Sequence, residues 1–356
     1  MPSRAASSSL SLSRSALADA ARTLLRNLRR RGALRPGSLI VTLFGDAIAP
    51  RGGVVALASL IRAGALFGVT ERHVRTSVGR LAQDGWIEAQ RQGRVSFYRL
   101  SETGRRRFAE ATQRIYFSGE ASGEGRPQAR NGAGGDGRWT LVALLPGMRG
   151  NRERIRREMA LLGFGQVQPG LLASPTRAAE DTLEALRELG VVDEVFVTSA
   201  TAASGAAREK IARLAWNLDE IDRRYEAFLR LFLPVNAAVL RERGIADPAP
   251  ATSDSPPAIA PDAAFIVRTL LIHEYRKTHL RDPLLPAHML PSDWSGRQAG
   301  DLCAQLYAAL FHPAERYLST FMRAADGALP DPRADTYKRF GGLPAHNAQA
   351  GSGRGK

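Results

Sequence analysis

Residues 69–86, VTERHVRTSVGRLAQDGW, decide the fold, because they predict a helix with two chemically different faces. Thr70 suits the N-cap position, and Val69 is placed to pack on Val74 as a hydrophobic staple. At 100° per residue the apolar side chains fall on one stripe, formed by Val74, Val78 and Leu81. The opposite side and its flanks are basic or polar, with Arg72, Arg75, Thr76, Arg80 and Gln83. One face is therefore expected to join a core and the other to meet a polar partner.

The segments on either side of this helix predict a second helix and a hairpin. Residues 54–68, VVALASLIRAGALFG, have apolar residues at helical spacing and end in Gly68, which suits the position after a helix. Residues 86–101, WIEAQRQGRVSFYRLS, read as two strands around a polar glycine turn that carries Arg91 and Arg94. Helix, turn, helix and hairpin together predict a winged helix. In that fold the second helix reads base edges in the major groove, and the wing arginines contact phosphates.

Positive charge is concentrated in the same part of the chain. The 356 residues carry a formal net charge of +15, and residues 1–117, with 20 Arg, no Lys and 7 acidic residues, hold +13 of it. Local charge of this kind favours a polyanion, either nucleic acid or an anionic membrane surface. The exposed helix face lacks the large apolar side chains that membrane insertion needs, so DNA is favoured over a membrane. A solvated helix without a ligand, in an arginine-rich chain from a GC-rich genome, is the alternative.

Other features of the sequence argue against a metalloprotein, a disulfide-stabilised protein and a membrane protein. Cys303 is the single cysteine, which excludes an internal disulfide and a multi-cysteine metal site and favours a reducing cytoplasm. No apolar run approaches the roughly 18 residues of a membrane span. His273 and Glu274 match the start of a zinc-protease HExxH box, but Lys277 stands where the second histidine belongs. We therefore predict no metal site, no cofactor and no catalytic residues.

Low-complexity stretches divide the chain and indicate an α+β multidomain protein. Residues 118–137 and 244–261 are rich in Gly, Ser and Pro and read as linkers or long loops. Between them, strands and helices alternate in the order β-α-β-β-α-β, which predicts a ferredoxin-like domain, and apolar spacing turns helical from about residue 208. The predicted domains are a basic flexible leader (1–35), a winged-helix DNA-binding domain (36–117), a linker (118–137), a ferredoxin-like domain (138–205), an α-helical effector and dimerisation domain (206–330) and a disordered tail (331–356). Within the leader, a disordered Ser-rich start is expected to pass into a short basic helix, ALADAARTLLRNLRRRG, and an organelle transit peptide is the alternative.

Three motifs resemble those of the PaaX family, repressors of phenylacetic acid catabolism. They are GSLIVTLFGDAIAPRGG at 37–53, GRWTLV at 137–142 and LIHEYRKTHLRDPLLPAHMLPSDWSG at 271–296. The resemblance covers about residues 36–325. It implies a winged helix, a middle domain akin to the small CRISPR-associated endoribonucleases, and a helical C-terminal domain. It also implies a homodimeric repressor that leaves its double-stranded DNA operator when phenylacetyl-CoA binds. The leader at 1–35 and the Gly-rich insertion at 118–137 depart from the family pattern.

The third motif contains a candidate effector site. Cations at the end of a helix have a sufficient structural reason in the helix dipole. Alternatively, they bind the phosphates of a CoA thioester while aromatic side chains line an apolar cavity. The candidate effector-binding residues are His273, Tyr275, Arg276, Lys277 and Trp294.

An RNA-binding protein or nuclease built on the ferredoxin-like domain is the alternative function. Related small nucleases use an aspartate at the end of the first strand, where a carboxylate holds a divalent cation. Here that strand ends in Leu144-Leu145-Pro146-Gly147, without a carboxylate. We therefore expect no enzyme activity and favour a cytoplasmic, dimeric, DNA-binding repressor.

Overall fold

The structure, a computed structural model, groups the chain into two compact units. It describes residues 15–32, 34–93, 95–117, 138–147, 152–201, 204–244, 259–325 and 327–343. The first unit comprises the chain up to Phe117 together with Phe228–Arg276 and the chain from Gln298. The second unit comprises Ser118–Ala227 and Lys277–Arg297. The region predicted as one helical domain, 206–330, is thus divided between the two units, and the other predicted boundaries stay predictions.

The secondary structure of the described residues is mixed. The α-helices are, in chain order, α1 (Ala16–Arg30), α2 (Pro36–Leu43), α3 (Leu57–Leu66), α4 (Glu71–Gln83), α5 (Glu102–Tyr116), α6 (Arg152–Leu161), α7 (Ala179–Glu188), α8 (Gly205–Trp216), α9 (Leu218–Glu242), α10 (Pro261–His279) and α11 (Ser295–Phe321). The strands are β1 (Val54–Ala56), β2 (Ile87–Gln92), β3 (Val95–Leu100), β4 (Arg138–Leu144), β5 (Gly165–Gln168), β6 (Leu171–Ser174), β7 (Val195–Thr201), β8 (Arg323–Ala324) and β9 (Gly327–Ala328). A π-helical turn lies at Phe44–Ile48, and 3-10 turns lie at Ala49–Arg51, Val192–Glu194, Ala287–Met289 and Ala334–Gly341.

Helix α1 lies in the stretch that was predicted to be a flexible leader. The Ser15 hydroxyl caps it by accepting a hydrogen bond from the Ala18 amide at 3.1 Å. One side of α1 is buried, through Leu17, Ala18, Ala21, Leu24, Leu25 and Leu28. The short basic helix expected within the leader therefore forms, but residues 16–30 are not flexible, because apolar residues at helical spacing join a core.

The first unit also contains a small three-stranded sheet next to α3 and α4. Its order is β1-β3-β2, and both pairings are antiparallel. The helix predicted over 54–68 begins later than expected, at Leu57, because residues 54–56 pair with Phe97–Arg99 of β3. The two valines of β1 favour a strand, and the helical spacing of the following residues hid it. Gly68 has a φ of +74° and ends the helical segment as predicted.

The second unit is built on an antiparallel sheet in the order β5-β6-β4-β7. Its element order matches the predicted β-α-β-β-α-β order. One core of this unit joins strands β4 and β6 to helices α6 and α7 through Val142, Ile155, Met159, Phe164, Leu172, Leu186 and Val191. A second core packs Trp139 and Ala173 of the sheet on Ala212 of α8 and on Leu218, Leu285 and Met289. Both faces of the sheet are therefore covered in part.

The chain is helical from Gly205 onward, close to the residue at which the apolar spacing turns helical, and Asn217, with a φ of +49°, separates α8 from α9. The tail at 331–356 was predicted to be disordered, but residues 334–341 form a 3-10 segment in which the Arg339 side chain is buried. Among the described helices, none has the length and hydropathy that crossing a membrane requires.

Candidate nucleic-acid interface

Helix α4 forms as its sequence predicts. The Thr70 hydroxyl accepts a hydrogen bond from the His73 amide at 3.4 Å, which satisfies one donor of the first turn. Val74 and Val78 are fully buried, and Val69 is nearly so. The predicted apolar stripe is therefore confirmed for these valines, whereas Leu81 is only half-buried.

Helices α3 and α4 approach each other closely at Gly64. A Cβ atom at this position would lie 2.7 Å from Cγ2 of Val74 and 3.6 Å from Cβ of Val69. Contacts below 3 Å are not tolerated, so only glycine fits here without a shift of one helix. Gly64 thus allows α3 to pack closely on the buried side of α4, which leaves the opposite face of α4 exposed.

The exposed face of α4 carries every helix residue that was predicted to face a groove. Arg72, Arg75, Thr76, Arg80 and Gln83 are all exposed. Arg75 is engaged by Glu71 one turn earlier, with 2.7 Å between Nη2 and Oε1. Within the described residues, the side chains of Arg72 and Arg80 make no hydrogen bond or ion pair. An exposed pair such as Arg75–Glu71 contributes only about 0.3–0.5 kcal/mol, so a phosphate or base competes with it easily.

The hairpin that follows α4 carries further basic residues. Strands β2 and β3 pair from Ile87↔Leu100 to Gln92↔Val95, and Gly93 has a φ of +60° at the tip. Arg91 is exposed at the end of β2, as predicted. Arg94 lies outside the described residues. The tip also exposes the apolar side chain of Val95, 46% of which is accessible to solvent.

A buried ion network lies in the first unit. Asp46 Oδ1 accepts hydrogen bonds from the hydroxyls of Tyr116 at 2.9 Å and Tyr307 at 2.8 Å, and from Arg339 Nη1 at 3.1 Å. Its Oδ2 lies 3.1 Å from Nε of Arg268, an ion pair without the angle of a hydrogen bond. Burial raises the pKa of the Tyr116 hydroxyl, which therefore remains a donor.

Glu315 on α11 continues the network toward the N-terminal segment. It accepts a hydrogen bond from Arg268 Nη1 at 2.5 Å and another from Arg51 Nε at 2.8 Å. Arg51 also donates to the carbonyl of Pro330 at 2.7 Å. Burial opposes the charge on Arg268, but the carboxylates of Asp46 and Glu315 outweigh it and raise the Arg268 pKa.

This network explains two sequence motifs. Asp46 belongs to LFGD and Arg51 to PRGG, and both are buried rather than presented to a ligand. Sequence reasoning missed their partners Arg268, Glu315 and Arg339. A charged residue inside the apolar run LIVTLFGDAIAP was the available signal, because buried charges require partners.

Comparisons with known proteins identify the family to which the chain belongs. Three family models match it: PaaX-like protein over residues 35–104, PaaX protein central Cas2-like domain over 133–212, and PaaX-like protein C-terminal domain over 216–320. Transcriptional repressor PaaX of Escherichia coli (strain K12) is 34% identical over 310 residues, which cover 86% of this chain and 90% of that protein. The chain belongs to the PaaX family.

Within the PaaX family, the chain is a mixed α and β protein with an N-terminal, a central Cas2-like and a C-terminal domain. Among solved structures, uncharacterized protein Rv0674 from Mycobacterium tuberculosis covers 72% of this chain and 88% of its own, at 21% identity and a TM-score of 0.41. That similarity is too weak to bear on the fold. Helix α1 precedes residue 35, where the first PaaX model begins.

The PaaX motif LIHEYRK lies on α10, where two of the predicted effector residues contact α2. His273 is buried, and its Nδ1 shares a hydrogen bond with Oγ1 of Thr42 at 3.0 Å. Arg276 Nε donates to the same hydroxyl at 2.8 Å, and its Nη2 donates to the carbonyl and hydroxyl oxygens of Ser38, both at 2.7 Å. Burial lowers the pKa of the Arg276 guanidinium. These contacts give both residues a structural role.

The remaining effector candidates have other surroundings within their own units. Tyr275 is buried against Phe228, with ring centroids 5.6 Å apart. Lys277 and Trp294 belong to the second unit. Trp294 packs edge-to-face on Tyr225 at 5.9 Å. Ligand binding by this set of residues stays a prediction.

Proposed function

We propose that this PaaX-family chain is a DNA-binding transcriptional repressor of phenylacetate catabolic genes. Helices α3 and α4 with the β2–β3 hairpin would form the winged helix-turn-helix that docks on a double-stranded operator. The observation that carries the proposal is the division of α4 into a buried valine stripe and an exposed face of arginine, threonine and glutamine. Such side chains pair with base edges and phosphates. The similarity to a transcriptional repressor of Escherichia coli supports the proposal.

We assign the central Cas2-like domain a ferredoxin-like arrangement without catalysis. The strand order β5-β6-β4-β7, with α6 and α7 packed on one face, agrees with that arrangement. The first strand ends at Leu144, and the residues after it, Leu145 to Gly147, bring no carboxylate to the end of the strand. A metal-dependent nuclease step that uses a carboxylate at the end of this strand therefore lacks that carboxylate here.

Release by an aryl-CoA, phenylacetyl-CoA in our proposal, needs a link between effector and reading helix. The first unit contains a continuous series of contacts that fits this role. Arg276 and His273 of α10 hold Thr42 of α2, and α2 packs on α4, where a Cβ at Gly37 would lie 3.9 Å from Oγ of Ser77. A ligand that favours another arrangement of α10 would move α2 and tilt α4 away from its groove. In a homodimer, a small tilt changes the spacing of the two reading helices.

Titration of the purified protein against its own upstream DNA and against scrambled DNA tests the proposal. Salt is held near physiological, because phosphate contacts make affinity steeply salt-dependent. We expect selective binding to the upstream DNA that phenylacetyl-CoA abolishes. Binding that ignores both sequence and thioester would overturn the repressor assignment and favour the RNA-binding alternative. The variant Arg72→Ala/Arg80→Ala should lose affinity without loss of fold, because both side chains are exposed.

A further inference from the structure

Helix α1 lies outside the matched PaaX models, yet it is built into the first unit. Its Leu17 amide donates to Oε1 of Glu242 at 2.7 Å, and its apolar stripe is buried. Burial on one side of an amphipathic helix fixes which side chains the other side presents. The orientation of the arginines on α1 is therefore defined by the fold.

The C-terminal end of α1 lies against the turn between α3 and α4. Nε of Arg29 donates a 3.1 Å hydrogen bond to the carbonyl of Phe67. A Cβ atom on Gly68 would come within 2.0 Å of Nη2 of Arg29, so the guanidinium occupies the space beside that glycine. Gly68 stands three residues before Glu71, the first residue of α4. The last turn of α1 is thus next to the beginning of the proposed reading helix.

The side of α1 away from its buried stripe is basic. Arg26 and Arg30 are exposed there, and at 100° per residue Arg26 lies about 60° and Arg30 about 100° around the helix from Arg29, whereas Arg31 is the exposed residue after the helix end. Arg22 is held by Asp19 one turn earlier. Within the described residues, the side chains of Arg30 and Arg31 make no hydrogen bond or ion pair. The helix dipole favours cations at this end of α1, and the contact of Arg29 with Phe67 places this end beside the α3–α4 turn.

We propose that Arg26 and Arg30 form a second phosphate-binding surface that continues the exposed face of α4. This inference rests on the proposed DNA-binding function and adds to it a contact with the DNA backbone beside the groove that α4 enters. Guanidinium groups suit this task, because their planar donors pair bidentately with phosphate oxygens. Contacts of this kind carry no sequence information; they raise affinity and fix the position of the protein on the duplex. The PaaX models begin after α1, so this surface is a feature of this chain beyond the matched region.

The test compares Arg26→Ala/Arg30→Ala with the parent protein on upstream and scrambled DNA over a range of salt concentrations. We expect the variant to bind both DNAs more weakly by a similar factor. The slope of log affinity against log salt should fall by about 1 for each lost phosphate contact, about 2 in all. The control Arg157→Ala/Arg187→Ala removes the same charge from exposed positions of α6 and α7 and should leave the slope unchanged. The variant Arg26→Lys/Arg30→Lys keeps the positive charges and should show the same salt slope as the parent.

The outcomes separate this inference from the proposed function. Selective binding by the parent with an unchanged slope in Arg26→Ala/Arg30→Ala would overturn the α1 surface and leave the repressor assignment standing. A reduced slope in Arg26→Ala/Arg30→Ala, together with a parent protein that binds upstream and scrambled DNA equally, would support the surface and overturn the repressor assignment. A fall in slope for the α6 and α7 control as large as for α1 would show a general charge effect and also overturn the surface. Thermal unfolding midpoints confirm that each variant is folded.

Discussion

Arg276 on α10 donates a 2.8 Å hydrogen bond from Nε to the hydroxyl of Thr42 on α2. The same hydroxyl meets His273 Nδ1 at 3.0 Å and donates to the carbonyl of Ser38 at 3.0 Å. One buried oxygen therefore joins two residues of the LIHEYRK motif to the helix that packs on α4. The motif contributes to holding the N-terminal helices in place, whatever else it binds.

Thr42→Val tests this connection through stability. The substitution keeps the shape of the side chain but leaves Nε of buried Arg276 without this acceptor and removes the hydrogen bond shared with Nδ1 of His273, which costs about 1–3 kcal/mol. We expect that loss in the free energy of unfolding, measured by urea denaturation. Thr23→Val, at an exposed position of α1, is the control and should change the value by less than about 0.5 kcal/mol. Equal stability of the two variants would show that the contact contributes nothing.

Ligand release distinguishes two roles for Arg276. If the guanidinium acts through α2, then Arg276→Ala and Thr42→Val should both raise the concentration of phenylacetyl-CoA needed to release the operator. We expect this result, because Arg276 directs its donors to Ser38 and Thr42. Titration of the preformed DNA complex with the thioester measures it. A defect confined to Arg276→Ala would instead mean that this residue binds the ligand directly.

Arg75 on α4 should contribute to operator recognition. Loss of a bidentate contact to a guanine costs about 1–3 kcal/mol, so Arg75→Ala should weaken operator binding by that amount. The control is Glu71→Gln, which removes the partner of the Arg75 ion pair and one negative charge from the same face. It should bind DNA at least as tightly as the parent. Equal operator affinity for Arg75→Ala and the parent would remove this residue from the interface.

The sequence predicted the parts of this fold that depend on local spacing. The cap at Thr70, the buried Val74 and Val78 and the order of elements in the second unit follow from periodicity over short windows. Strand β1 was not predicted, because its three residues are too few to show the alternation of a strand. The sequence indicated a short basic helix within the leader, but its many arginines obscured the apolar stripe that joins α1 to a core.

Other features of the molecule depend on contacts between distant residues, which no local pattern reveals. The partners of Asp46 are Arg268 and Arg339, which lie on α10 and in the C-terminal 3-10 segment. The chain around Asp46 indicates only that a buried carboxylate needs cations, and it does not say which. The same holds for Arg29, whose acceptor is a backbone carbonyl at Phe67. The proposed α1 surface thus required the structure.

The buried ion network should be among the strongest determinants of stability in the first unit. Asp46→Asn keeps the side-chain volume, leaves Arg268 with the Glu315 carboxylate and removes the carboxylate that pairs with Arg339. Removing one partner of a buried pair costs about 3–5 kcal/mol, because the other charge stays buried without compensation. The exposed control Asp335→Asn, which removes the partner of Arg333, should cost less than about 1 kcal/mol. Urea unfolding of both variants measures the difference, and similar costs would contradict the role given to Asp46.

Packing of α3 on α4 gives the last prediction, from two glycines in neighbouring helices. In Gly64→Ala the new methyl group would meet Cγ2 of Val74 at 2.7 Å, so one helix must shift, at a cost of about 1–3 kcal/mol. Gly79→Ala on α4 meets nothing within 4 Å and should stabilise the protein by up to about 1 kcal/mol through helix propensity. Because α3 supports the reading face, Gly64→Ala should also weaken operator binding, whereas Gly79→Ala should not weaken it through packing. Unfolding and operator titrations on the pair test both effects, and a neutral Gly64→Ala would mean that α4 shifts freely against α3.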